Sequence, residues 1–198
     1  MDFLLTRAKD CGIITKIANI SLGGIKVDFI IRPVRIEDAE AINEMRRMDG
    51  VKENILGVSS ERISGTEYFI NNLTPNDHML VAEVDEEGVK MVVGAVSLHV
   101  GGTPRMRHAA NIGIMVHRDY QGKGIGTALL KEIIDLADNW LMLIRLELSV
   151  FVDNERAIKL YESLGFKIEG RKRFASIRRG KYEDEYLMAR YNYNLIGN

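Results

Sequence analysis

The chain of 198 residues is short of the residue types that staple or metal-bind small scaffolds. Cys11 is its only cysteine, so an internal disulfide and a cysteine-rich metal site are both excluded. A reducing cytoplasm is the natural setting for such a sequence. The four histidines, His78, His99, His108 and His117, have no metal-ligand spacing, and no metal is expected. Residues 1–29 lack a basic segment followed by a continuous apolar run, which argues against both a signal peptide and a membrane span. Net charge is also scarce. At −1 it gives no global attraction for nucleic acid or for an anionic membrane, and neither is expected as a partner. The local basic run from Arg171 to Lys181 reads as a solvated turn, with assistance to an anionic ligand or a partner as the alternative. Low-complexity tracts and internal repeats are absent.

What remains is an ordinary globular composition, 46% hydrophobic and 28% charged, in a chain long enough for one well-buried core. One domain is expected over residues 29–198. Residues 1–28 read as an extension, whose Ile13, Ile14, Ile17, Ile20 and Ile25 suggest a hairpin or arm. It would pack on the domain or on a second subunit, which leaves a homodimer open.

The most informative segment is NIGIMVHRDYQGKGIGTALL, Asn111 to Leu130. It reads as a strand, a glycine-rich turn and a helix whose apolar positions are Ala128, Leu129, Leu130, Ile133, Ile134 and Ala137. Glycines at a helix start let the backbone turn tightly and aim successive N–H groups outward, where the helix end favours an anion. Two common phosphate motifs do not fit. A Walker loop needs Ser or Thr after Gly-Lys, but Gly124 follows Lys123. A dinucleotide fingerprint needs a third glycine or alanine where Thr127 or Leu129 stands.

Gln121-Gly122-Lys123-Gly124-Ile125-Gly126 instead resembles the pyrophosphate loop of the GNAT superfamily, the acetyl-coenzyme A dependent N-acetyltransferases. Downstream, LELSVFVDNERAIKLYESLGF reads as a second strand, turn and helix. Leu146, Leu148 and Val150 alternate with Glu147, Ser149 and Phe151, and Asp153 or Asn154 can cap the helix. Its apolar face would be Ala157, Ile158, Leu160, Tyr161 and Leu164, with Gly165 as the stop. This segment resembles the second half of the GNAT core. Residues 169–192 look like two final strands turning at Arg179-Gly180-Lys181. With Asp138-Asn139-Trp140, that ending looks most like bacterial members that acetylate free amino acids or other small amines. Upstream, Ile30 to Met45 resembles the family's first strand and helix, with Asp38 as a cap. Met79 to Val100 reads as two strands around Glu86-Glu87-Gly88. Residues 51–76 read as irregular and partly helical, the part that in the family lies over the acceptor pocket. The fold class implied is α+β (α/β), a central mixed and mostly antiparallel sheet flanked by helices.

The resemblance implies an acyltransferase that moves acetyl from acetyl-coenzyme A to the primary amine of a small metabolite, an amino acid above all. Transfer to a protein N-terminus or a polyamine is one alternative, and a non-catalytic coenzyme A sensor is another. It also implies roles. Gln121, Gly122, Lys123, Gly124, Ile125, Gly126 and Thr127 would hold the pyrophosphate, while the backbone of Met115 and Val116 would pair with the pantetheine amides. Asn154 would bond the cofactor's arm, and Tyr161 would be the general acid to the departing thiolate. The structural alternatives are a helix cap for Asn154 and packing for Tyr161. Many relatives carry a glutamate base near the position of Asn111, and Asn cannot take a proton at neutral pH. Glu147, His117 and the carboxylates of Glu183-Asp184-Glu185 are candidates reached through water, and the base stays open. A missing base favours acceptors of low amine pKa, hence α-amines.

Overall fold

A computed structural model of the chain describes residues 16–22 and 25–196, with side chains from Asp28 onward. Ile13 and Ile14 of the extension lie outside the described residues. The strands are β1 (Lys16–Leu22), β2 (Ile25–Pro33), β3 (Asp77–Glu86), β4 (Val89–Val100), β5 (Ala109–Val116), β6 (Arg145–Phe151), β7 (Lys167–Arg178) and β8 (Lys181–Tyr191). The helices are α1 (Ala39–Arg47), α2 (Ile63–Asn71), α3 (Ile125–Asn139), α4 (Glu155–Ser163) and the short α5 (Tyr193–Ile196). All eight strands form one sheet in the order β1-β2-β3-β4-β5-β6-β8-β7. Among the described strands only β5 and β6 pair in parallel. That one parallel step is made by the crossover through α3, as a parallel neighbour requires.

Turn chemistry sets the hairpins. Glu87 and Gly88 join β3 to β4 with φ of 54° and 88°, and Arg179 and Gly180 join β7 to β8 with φ of 51° and 77°. Two consecutive positive φ values make the turn whose twist matches that of paired strands. β2 runs without a break through residue 28 and pairs with β1 from Lys16↔Ile31 to Leu22↔Ile25.

Each face of the sheet carries its own core. Between the sheet and its covering helices α3 and α4 lie Val96, Leu98, Ile112, Leu146, Leu148 and Met188 of the strands with Leu129, Leu130 and Ile133 of α3, all strongly buried. Each such side chain contributes about 1.5–3 kcal/mol on leaving water. The six apolar positions of α3 expected from its periodicity are all buried. On the other face α1 and α2 cover a smaller cluster of Ile42, Met45, Ile70, Val81, Val92 and Ala95. α3 sits very close to β4 at Gly94, where an added Cβ would come within 3.0 Å of Leu129 Cδ1. The missing side chain lets the start of α3 settle against β4.

Asp38 precedes α1 as expected, but its carboxylate does not cap it. Burial inverts its use. Arg32 donates to both Asp38 oxygens at 2.8 Å and to Glu83 Oε2 at 2.6 and 2.8 Å, and all three residues are buried. A guanidinium fork binding two carboxylates satisfies charges that water cannot reach.

Candidate active site

β5 and β6 share only three rungs, Ala109↔Arg145, Ala110↔Leu146 and Asn111↔Glu147. Beyond Asn111 the two strands splay, leaving facing backbone edges with no ladder partner. The gap widens into a cleft of about 750 Å³. Its walls include Asn111 to Met115 of β5, Leu148 to Phe151 of β6, Tyr161 of α4 and Glu185 of β8. Its cover comes from the irregular region, with Asn54, Leu56, Glu61, Arg62 and Phe69. Such a volume fits a small acceptor together with the end of a linear cofactor.

At the C-terminal end of β5 the chain passes through Gln121 and enters α3 at Gly124. Gly122 and Gly124 have φ of 78° and 82°, values that L side chains rarely adopt. Gly126 differs. It lies inside the first turn of α3, where a Cβ would find Leu160, Val116 and Ile114 at 3.6–3.8 Å. Neither its dihedrals nor the space around it demands a glycine. From Gly122 to Thr127 the six backbone amides donate to no acceptor among the described residues, and the first helical bond into this stretch is Ala128 N–H to Gly124 at 3.0 Å. Six free amides at the start of a 15-residue helix form an anion cradle. Positive charge flanks it, with the Lys123 ammonium 4.6 Å from the Tyr120 ring centre and Arg156 reaching Gln121 Oε1 at 3.2 Å. Gln121 also donates to the carbonyl of Val116 at 3.1 Å, so its side chain clamps the loop to β5. The Ile125 side chain is buried in the core, leaving its amide for a ligand.

The residues singled out from sequence thus fall into two groups. Met115 and Tyr161 line the cleft, whereas Gln121 to Thr127 form the cradle beyond its end. Val116 and Asn154 are off the cleft wall. Asn154 caps α4 by accepting from Ala157 N–H at 3.2 Å and donates to Asn54 Oδ1 at 3.3 Å. Tyr161 is buried, edge-on to Phe166, and its hydroxyl has no hydrogen-bond partner among the described residues. Burial pushes its pKa up to about 12.

The candidate bases separate clearly. Asn111 is exposed in the cleft and uncharged. Glu147 is held by Arg145, which also grips Glu169 and Tyr191. His117 accepts from Asp119 N–H at 3.2 Å. Glu183 lies 3.6 Å from Arg178, and Asp184 takes Arg171 at 2.7 Å. Glu185 alone of these carboxylates faces the cleft. Phe151, which alternates with Leu146, Leu148 and Val150 along β6, is buried like them and lies in the cleft wall with the Arg178 guanidinium 4.3 Å from its ring centre. The sequence also gave no sign of the pair Arg46–Glu61, bonded at 2.6 and 2.9 Å across the cover. Those partners are 15 positions apart, beyond any local periodicity.

Residues 43–166 match the model of the acetyltransferase (GNAT) family. The chain therefore belongs to the GNAT family of acetyltransferases, and as such it is an acyltransferase enzyme. Among curated proteins it is 36% identical over 172 residues to an L-amino acid N-acetyltransferase of Escherichia coli K12, covering 82% of this chain and 98% of that one. It is 29% identical over 121 residues to the spermidine N(1)-acetyltransferase of the same bacterium, covering 61% and 62%. A spermidine N-acetyltransferase from Vibrio cholerae, solved with CoA and spermine, shares the fold with a TM-score of 0.74 at 22% identity, over 85% of this chain and 98% of that one. The expected mixed, mostly antiparallel sheet flanked by helices is the sheet observed.

Proposed function

We propose that this enzyme transfers acetyl from acetyl-coenzyme A to the α-amine of a free amino acid or close analogue. The observation that carries the reading is a six-amide anion cradle on the chain segment that leaves β5, the strand whose splayed, half-paired edge walls the cleft. The cradle fits a pyrophosphate. The edge of β5 that β6 leaves unpaired, on which the Val116 backbone faces away from β4, offers partners to an extended arm with Met115 beside it on the cleft wall, and acetyl-coenzyme A supplies the activated thioester. Gln121, Gly122, Lys123, Gly124, Ile125, Gly126 and Thr127 fix the anionic end, and Asn154 holds the strand-to-helix turn beside it. Positioning of this kind can lower a barrier by roughly 7–11 kcal/mol.

Tyr161 donates to the departing thiolate. With its pKa near 12 against about 8.5 for a thiol, complete proton transfer is uphill by about 5 kcal/mol. The phenol therefore acts chiefly by donating a hydrogen bond as charge grows on sulfur, and solvent completes the protonation. Acceptor choice follows from charge in the cover. Arg46 is neutralised by Glu61, whereas the Arg62 guanidinium makes no hydrogen bond or ion pair among the described residues. A free guanidinium at the cleft suits a carboxylate and disfavours a polyamine. The amino-acid relative supports the same class. On this reading residues 29–198 are the catalytic domain, 1–28 an extension, and the single cysteine suits the cytoplasm.

The test is thiol release from acetyl-coenzyme A against a panel of amino acids, amino acid amides and polyamines. Amino acids or their amides should lead the panel, and R62A should raise KM for amino acids far more than for their amides. A panel led by spermidine would overturn the acceptor assignment.

A further inference from the structure

Glu185 is a buried titratable group on the cleft wall that the chemistry above does not use. It is only 7% exposed, on the wall of the cleft that also contains Tyr161. Its one described partner is the Ser176 hydroxyl, which donates to Oε1. No cation lies within ion-pair distance of it among the described residues. A carboxylate taken out of water without a counter-charge is costly unless a ligand supplies that charge.

The neighbours have other partners. Lys172, opposite on β7, donates its ammonium to Ser149 Oγ at 2.8 Å. Phe151 is opposite on β6, and Arg178, stacked on that ring, binds Asp153 and lies 3.6 Å from Glu183. From α4 comes Tyr161, and the cover adds Arg62 and the Arg46–Glu61 pair.

We propose that Glu185 binds the incoming acceptor ammonium and takes its proton, the base that Asn111 cannot be. The inference rests on the acetyl-transfer reading. One N–H bond of the ammonium breaks, the proton passes to a Glu185 oxygen directly or through one water, and the freed lone pair can then attack the thioester carbon. The N–C bond forms as the C–S bond breaks, and the amine's second proton leaves to solvent. Ser176 orients the carboxylate. Arg62, on the covering layer, would receive the acceptor's own carboxylate, so the two unpaired charges of the cleft match the two charges of an amino acid.

The experiment compares wild type, E185Q and S176A for kcat and KM against amino acid amides of graded amine pKa, over pH 6–10 as roughly spans amine titration, with acetyl-coenzyme A affinity measured separately. Wild type should hold kcat/KM through neutral pH. E185Q should lose about 10²–10⁴-fold near pH 7, keep its affinity for acetyl-coenzyme A, and recover as pH approaches the amine pKa, because the neutral amine then no longer needs a base. S176A, at a half-buried position that tolerates Ala, should displace the low-pH limb of the profile without abolishing turnover. If E185Q folds and keeps the wild-type rate and profile, the proposal is overturned. If E185Q does not fold, an S176A profile superimposable on wild type overturns it. A wild-type protein that acetylates no amine would instead defeat the underlying function, a result distinguishable from either.

Discussion

Tyr161 presents the sharpest single-residue test, because its ring has a packing role and its hydroxyl has no partner among the described residues. Tyr161→Phe keeps the ring against Phe166 and removes only the donor. Turnover should fall by up to roughly 10²–10³-fold, the effect of removing one donor to developing charge, with melting temperature and acetyl-coenzyme A affinity little changed. Equal turnover in both proteins would leave Tyr161 a packing residue. Arg32 gives the opposite contrast, a residue with stability at stake and no reach into the cleft. Arg32→Met would strand Asp38 and Glu83 as buried carboxylates, and the loss should be about 3–5 kcal/mol by urea denaturation. An effect below about 1 kcal/mol would mean that both acids find water.

At the scale of the element, the start of α3 concentrates the function of the fold. Gly124 occupies the left-handed region with its amide in the cradle. Gly124→Asp adds backbone strain of about 1–2 kcal/mol and a carboxylate where an anion must bind. Calorimetry should find acetyl-coenzyme A binding lost in a folded protein, and retained affinity would mean the anion binds elsewhere. Gly126→Ala should be mild, since its backbone is helical and the added methyl meets only ordinary van der Waals contacts. The pair of substitutions separates conformational need from steric need within three residues.

Across the whole molecule, several carboxylates bind the fold together through charge. Arg145 and then Tyr191 hold Glu169 down at about 2 against the penalty of burial. For Asp77 burial pushes upward, but hydrogen bonds from Thr74 and His99 outweigh it and bring the group to about 2. Depressed folded-state values mean that the unfolded chain binds protons first as pH falls. This contribution to stability is therefore complete above the ordinary carboxylate range of about 4 and is lost between about pH 4 and pH 2. Urea midpoints should be flat from pH 7 to 5 and drop below pH 4. R145M should reduce that acid-side drop, and an unchanged drop would assign it to other groups.

What the sequence determined by itself was the part governed by local rules. Period-two alternation marked β6, glycine and charge marked the β3–β4 and β7–β8 turns, and apolar spacing marked the buried side of α3. The glycine cradle was legible because helix-start amides and glycine dihedrals are properties of a few consecutive residues. Tertiary structure decided whatever depended on distance across the chain. The splay after Asn111 arises because β5 and β6 are brought together at only three rungs, 36 positions apart in sequence, as in Asn111↔Glu147. Asp38 looked like a cap until Arg32, which the distant Glu83 shares, took its carboxylate, since a buried guanidinium competes better for a carboxylate than helix amides do. Glu185 was one of three adjacent acids in the sequence. Pairing of its strand with β6 and β7 turned it toward the cleft and left it without a counter-charge, while cations engaged its two neighbours. Burial and pairing are set by the fold, and they separate chemically identical side chains.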